Sequence, residues 1–170
     1  MVSMFSLEGK NAAVVGGASG IGEAVATALA EHGASVLCLD VDIAGALDTA
    51  ATITEMGGEA DAGQLNILDG EAVTAAFESF NVKKGSLDIV VCTPGVNVRK
   101  PILEYTDEDI DRVLGVNLKG NAHVIQAAGR IMTSQGSGSI ILFSSIRSVV
   151  VEPGQSLYAA TKAGIVQMVR

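Results

Sequence analysis

Tryptophan is absent from the 170 residues, and cysteine and proline are scarce at two and three copies. Two cysteines exclude a disulfide scaffold, and with only two His and no Cys/His cluster they offer no metal site. Cys38 and Cys92 each close an apolar run and are expected to be buried, reduced packing residues of a cytoplasmic protein. Positive charge is also short. Eleven Lys and Arg face nineteen Asp and Glu, a formal balance of −8, and no basic block appears. Such a field repels phosphate backbones, so no nucleic-acid partner is expected. No apolar run approaches the roughly 18–20 residues that cross a bilayer, so no membrane partner is expected either. The stretch from Met1 to Lys10 lacks a cationic start, an apolar stretch and a small-residue cleavage site, which argues against a signal peptide. Repeats, low-complexity segments and Pro/Ser-rich linkers are missing, which suggests one domain over residues 1–170.

What is present is apolar, with 48% hydrophobic residues and a mean hydropathy of +0.41. An all-parallel sheet covered on both faces would bury part of that excess, and a subunit interface or further chain the rest. Short apolar runs alternate with longer amphipathic ones. Strands are expected at Asn11–Gly16, Ser35–Asp40, Glu59–Leu65, Leu87–Cys92 and Ser139–Ser144. Helices are expected at Gly20–His32, Ile43–Met56, Asp69–Lys83, from about Asp107 to Thr133, and from Gln155–Ser156 to the last residue, Arg170. Asp42, Asp69 and Thr106 with Asp109 suit helix starts. Strand–helix alternation of this length predicts a doubly wound, Rossmann-like α/β sheet with parallel strands. The end at Val166–Arg170 carries no Gly, Asn or Pro stop signal, which suggests an interrupted helix.

Between the first strand and first helix runs Gly16-Gly17-Ala18-Ser19-Gly20-Ile21-Gly22. Its glycines permit a sharp turn and a close backbone approach. The helix start then aims unpaired N–H groups at a pyrophosphate. Glycines also close ordinary turns, but this loop follows a strand, opens a helix and precedes an acid at the next strand's end. That acid is Asp40, twenty residues after Gly20. Its carboxylate suits ribose hydroxyls and repels a 2′-phosphate, and no Lys or Arg lies between Gly16 and Asp40. NAD is therefore expected over NADP.

Tyr158 and Lys162 are four residues apart, on one face of the last helix, and Ser145 lies thirteen residues before the Tyr. A lysine cation beside a phenol favours its ionised form and readies it for proton transfer near neutrality. Ser145, at the C-terminal end of the fifth strand, lies where open α/β sheets bind ligands, and its hydroxyl can bond a substrate oxygen. Alone, such a Tyr–Lys pair would be read as packing. Its company of Ser145 and the glycine loop points to chemistry.

From Leu7 to Arg170 the sequence resembles the classical short-chain dehydrogenase/reductase family. The family's Thr-Gly-x-x-x-Gly-x-Gly is matched by Val15, Gly16, Gly20 and Gly22, with Val in place of Thr. The resemblance implies Ser145, Tyr158 and Lys162 as catalytic residues. It adds Asn117, which in the family sits in a distorted helix and supports a proton relay to the Lys. The family's Asn-Asn-Ala-Gly appears as Cys92-Thr93-Pro94-Gly95, with only Gly95 kept, and the family's acid near adenine is Asn66. The implied activity is NAD-dependent interconversion of a secondary alcohol and a ketone by a homodimer or homotetramer. The family fold also carries two further strands and a substrate-covering segment beyond the point reached at Arg170.

On the substrate side, the resemblance puts Arg99-Lys100-Pro101 and Arg147 on loops at the sheet's C-terminal edge. Two arginines converging there could clamp a carboxylate or phosphate, and a similar Arg-Lys-Pro stretch occurs in relatives acting on sugar acids. The other reading of these charges is solvated surface. His32 and His123 are given no role. A polyol or sugar acid is thus the expected substrate. A catalytically incomplete nucleotide-binding module, or a chain that only self-associates, are the alternatives.

Overall fold

In the computed structural model, which describes residues 4–170, strands and helices alternate throughout. Residues 1–3, the start of the stretch judged to lack a signal peptide, lie outside the described residues. The strands are β1 (Asn11–Val15), β2 (Ser35–Asp40), β3 (Glu59–Gln64), β4 (Ile89–Cys92) and β5 (Ser139–Leu142). The helices are α1 (Gly20–Glu31), α2 (Ile43–Glu55), α3 (Gly70–Lys84), α4 (Asp107–Leu114), α5 (Asn121–Gln135) and α6 (Ser156–Met168). All strand pairs are parallel, in the order β3-β2-β1-β4-β5. The chain winds outward from β1 to β3, then returns to β4 and proceeds the other way. The reversal lies between β1 and β4, where open α/β sheets form a ligand crevice at the strands' C-terminal ends.

Side chains alternate across the sheet, so neighbouring residues enter different cores. Ala13 and Val15 join Val90, Cys92, Phe77, Phe80 and Val124 on the side covered by α3 and α5. Ala12 and Val14 join Val91, Val36, Ala26, Ala46 and Ile53 on the side covered by α1 and α2. The alanines let those two helices lie close to the sheet. Cover on both faces holds at the centre but fails at the edges. β3 is only half buried, and Ile141 on β5 is 49% exposed. Both cysteines are buried and unpaired, and burial pushes their thiols up, to about 11 for Cys38 and about 12 for Cys92.

The three helix starts picked out in the sequence are capped by side chains. Asp42 accepts from Gly45 N–H, Asp69 from Glu71 and Ala72, and Thr106 and Asp109 form a reciprocal capping box. One expected helix differs. The stretch from Asp107 to Thr133 is broken by a π-helical turn at Gly115–Gly120, and α5 continues to Gln135. Gly120 is pressed on Ile67, where a Cβ would overlap the isoleucine side chain. The wider turn rotates Asn117 inward to full burial. The strands β1, β3 and β5 end one or two residues earlier than expected, where the loops at the crevice begin, whereas β4 ends at Cys92 as expected and starts two residues late, at Ile89. At the other end, α6 closes at Met168, two residues before the expected Arg170.

Asp88 secures the N-terminal edge of the β1–β4 pair. Burial works to raise its pKa, but Ser86 Oγ, Asn11 N–H and Lys10 Nζ all donate to its carboxylate and hold it below the ordinary Asp value. The unfolded chain therefore binds this proton more readily, and the ionised form stabilises the fold at neutral pH. Asp88→Asn is expected to lower unfolding free energy by about 1–3 kcal/mol at pH 7. The difference from wild type should shrink as pH falls below about 4, which urea melts at several pH values would measure.

Candidate functional site

Two cavities open at the crevice and share Gly95 and Val96 in their walls. The first, of about 500 Å³, lies between the ends of β1, β2 and β4. Gly16, Ser19, Gly20, Ile21, Asp40, Asn66 and Gly95 all line it. Seven of the residues singled out as cofactor-binding are thus on one surface. The second, of about 480 Å³, is lined by Ser145, Tyr158, Arg99 and Arg147. Gly22, Asn117 and Lys162 stand behind these walls and shape them.

The glycine loop is held so closely that side chains are excluded at Gly16 and Gly22. Gly16 has φ +83° and Gly20 φ +55°. A Cβ on Gly22 would overlap the Gly16 carbonyl, and one on Gly16 would overlap Thr93 Oγ1. Thr93, where the family has Asn, fastens the loop to β4. Its N–H donates to Val15 O at 3.0 Å, and its hydroxyl reaches Val15 O and Gly16 O at 3.1 and 3.3 Å. Asp40 fastens the other side, accepting from Ala18 N–H and Asp42 N–H, each at 3.1 Å. Ser19, the N-cap of α1, makes no capping bond, which leaves its hydroxyl and the first-turn N–H groups open to the cavity. Asn66 spends its Oδ1 on Leu68 N–H and keeps its amide for the groove. This cradle fits a dinucleotide: bare backbone donors for a pyrophosphate and a carboxylate placed for a ribose.

In the second cavity, Ser145 Oγ accepts from Arg147 N–H at 3.2 Å, which leaves the serine proton to point elsewhere. The two tyrosines differ sharply. Tyr105 spends its hydroxyl on Val98 O at 2.6 Å, whereas that of Tyr158 has no hydrogen bond among the described residues. Lys162 is 4% exposed, its Nζ donates to Phe143 O at 2.7 Å, and it lies 5.6 Å from the Tyr158 ring centroid. The expected neighbourhood of cation and phenol is thus present, with the ammonium over the ring face. Burial pushes the Lys162 pKa down, and the nearby Cys92 pulls the other way. A Cβ on Gly95 would lie 3.2 Å from Lys162 Nζ and 3.7 Å from Asn117 Oδ1, so this glycine marks where the three meet.

Asn117 braces the wall between the cavities. Its Oδ1 accepts from Val96 N–H at 2.8 Å, and its Nδ2 donates to Val96 O at 2.9 Å and Thr161 Oγ1 at 3.0 Å. One side chain thus joins the loop after β4 to α6 at Thr161. Asn121 Nδ2 donates to Asn117 O at 3.0 Å, occupying a carbonyl of the π-helical turn. Arg99 and Arg147 do converge, but on a carboxylate of the chain itself. Arg99 pairs with Glu152 at 2.7 Å, and Arg147 bonds the same Glu152. His123 donates to or accepts nothing in either cavity, bonding Ile67 O through Nδ1, and His32 bonds Ala28 O. Thr93, Asn121 and Glu152 were missed in the sequence, since only the fold brings each to its partners.

The family model described as short chain dehydrogenase matches residues 10–170. Among curated relatives, a 3-oxoacyl-(acyl-carrier-protein) reductase of Thermotoga maritima is 35% identical over 165 residues, 96% of this chain and 67% of that protein. A D-threitol dehydrogenase of Mycolicibacterium smegmatis is 35% identical over 165 residues, covering 95% of this chain and 62% of that protein. The solved structure of a dehydrogenase/reductase from Sinorhizobium meliloti 1021 superposes with a TM-score of 0.89 at 36% identity, covering 96% of this chain and 65% of that one. The chain spans about two thirds of the length of the relatives it matches.

Proposed function

This chain belongs to the short-chain dehydrogenase family, and we propose that it carries the cofactor cradle and proton-transfer residues of an NAD-dependent oxidoreductase that interconverts a secondary alcohol and a ketone. The observation that carries this reading is the cavity shared by Ser145 and Tyr158, which abuts the glycine cradle through Gly95 and Val96. A bound nicotinamide supplies the hydride acceptor or donor. Everything else falls to side chains. Tyr158 Oη takes the proton of the alcohol oxygen in oxidation and returns one in reduction. Lys162 stabilises the anion left at the phenol and offers its ammonium to the nicotinamide-side ribose. Ser145 donates its free proton to the substrate oxygen as charge develops there. Asn117 keeps α6 and the Val96 loop in register.

NAD is preferred because Asp40 brings a negative charge where a 2′-phosphate would lie, and no Lys or Arg between Gly16 and Asp40 offsets it. The likeness to D-threitol dehydrogenase supports a polyol. A hydroxy acid is the second reading, motivated by the two arginines at the cavity wall. A homodimer or homotetramer remains the proposed assembly. Titration with NADH and NADPH by fluorescence, then an NAD-reduction assay over polyols and hydroxy acids, tests the proposal. Tighter binding of NADH, with oxidation of at least one secondary alcohol, is the expected result. Binding of neither nucleotide removes the cofactor reading. Binding without turnover of any alcohol leaves only a nucleotide-binding module.

A further inference from the structure

Glu152 sits in the turn before α6 and is spent from both sides. Its Oε1 meets Arg147, and its Oε2 accepts from Arg99 and from Gln155 Nε2, each at 2.7 Å. Gln155 is buried, and its Oε1 accepts from Asn97 Nδ2 at 3.0 Å, so its amide can turn only its donor towards Glu152. A backbone bond from Lys100 N–H to Gly154 O at 3.1 Å holds the two loops together beneath the cluster. The five side chains of this cluster, those of Asn97, Arg99, Arg147, Glu152 and Gln155, all line the cavity that holds Ser145 and Tyr158.

We propose that Glu152 determines the charge of the substrate this cavity accepts. Two guanidiniums would ordinarily recruit a carboxylate in bidentate fashion. Here they are already bridged by one that belongs to the chain. An incoming carboxylate must settle next to Glu152 and share donors with it, and like charges that close oppose each other. An uncharged polyol meets no such opposition. It finds acceptors in Glu152 and donors in the unused guanidinium N–H groups, a surface matched to hydroxyls. Glu152 is thus a specificity-determining residue that turns an apparent acid-binding pair into a polyol-binding wall. The inference deepens the oxidoreductase reading and rests on it for which molecules enter the cavity.

The test compares a polyol and its acid on the same carbon skeleton, threitol and threonate, by ligand-observed NMR on the NADH-loaded chain. Glu152→Gln keeps the size and an acceptor but removes the charge. Threitol should bind wild type more tightly than threonate, and Glu152→Gln should raise the threonate-to-threitol affinity ratio at least tenfold. Adding Arg147→Met to that variant should erase the gain. A purely structural clasp would move both ligands together and leave the ratio unchanged. An unchanged ratio, or wild type that already favours threonate, overturns the proposal. Because binding is read directly, either outcome stands apart from whether wild type oxidises an alcohol, which the assay of NAD reduction decides.

Discussion

Replacing Tyr158 by Phe is expected to reduce alcohol oxidation by about 10²–10⁴-fold, the usual contribution of a positioned proton donor or acceptor, while NADH binding changes little. The variant removes one oxygen from the cavity. The ring remains for Lys162 to lie over, since Phe also presents a π face to a cation. The loss cannot be traced to a broken internal bond, because the Tyr158 hydroxyl has none among the described residues, unlike that of Tyr105. Nor does Tyr158 line the glycine cradle, so the substitution leaves the proposed nucleotide site intact. Steady-state rates and NADH fluorescence on the same preparation measure both halves. Turnover within tenfold of wild type would remove Tyr158 from the chemistry. Loss of NADH binding together with turnover would mean that the tyrosine holds the cofactor instead.

Much of this was legible in the residues, for identifiable reasons. Strand–helix alternation is a local property, so the parallel sheet and the position of the glycine loop follow from patterns within ten or fifteen residues. Tyr158 and Lys162 were legible together because a helix fixes the geometry of positions four apart. The acid caps at Asp42 and Asp69 are local for the same reason. The rest depends on pairs that only the fold assembles. Thr93 and the Gly16 carbonyl are 77 positions apart in the chain and meet because β1 and β4 are neighbours. Glu152 and Arg99 are 53 apart and meet across two loops. The π-helical turn left no periodic signal, because Gly115 and Gly120 read equally well as small residues in a continuous helix. Its cause is tertiary: the Ile67 side chain against Gly120, and the Val96 backbone drawing Asn117 inward.

Lys162→Met separates function from stability in opposite directions. Lys162 carries an ammonium at 4% exposure whose one hydrogen bond among the described residues is to Phe143 O, and burial lowers its pKa from the ordinary lysine value of 10.5. The folded chain thus binds this proton less readily than the unfolded chain. Below the lowered value the charge costs the fold a constant amount. Between that value and 10.5 the unfolded state binds more protons, so the cost diminishes as pH rises. Methionine fills a similar volume with an unbranched apolar chain. The variant is expected to gain about 1 kcal/mol at pH 7, an advantage that narrows as pH approaches 10. Turnover should fall by about 10²–10⁴-fold, since the proposed proton transfer then loses the cation beside Tyr158. Urea melts from pH 7 to pH 10 and the NAD-reduction assay read the two effects. A variant that is less stable yet still active would show that Lys162 serves the fold through the Phe143 carbonyl rather than the reaction.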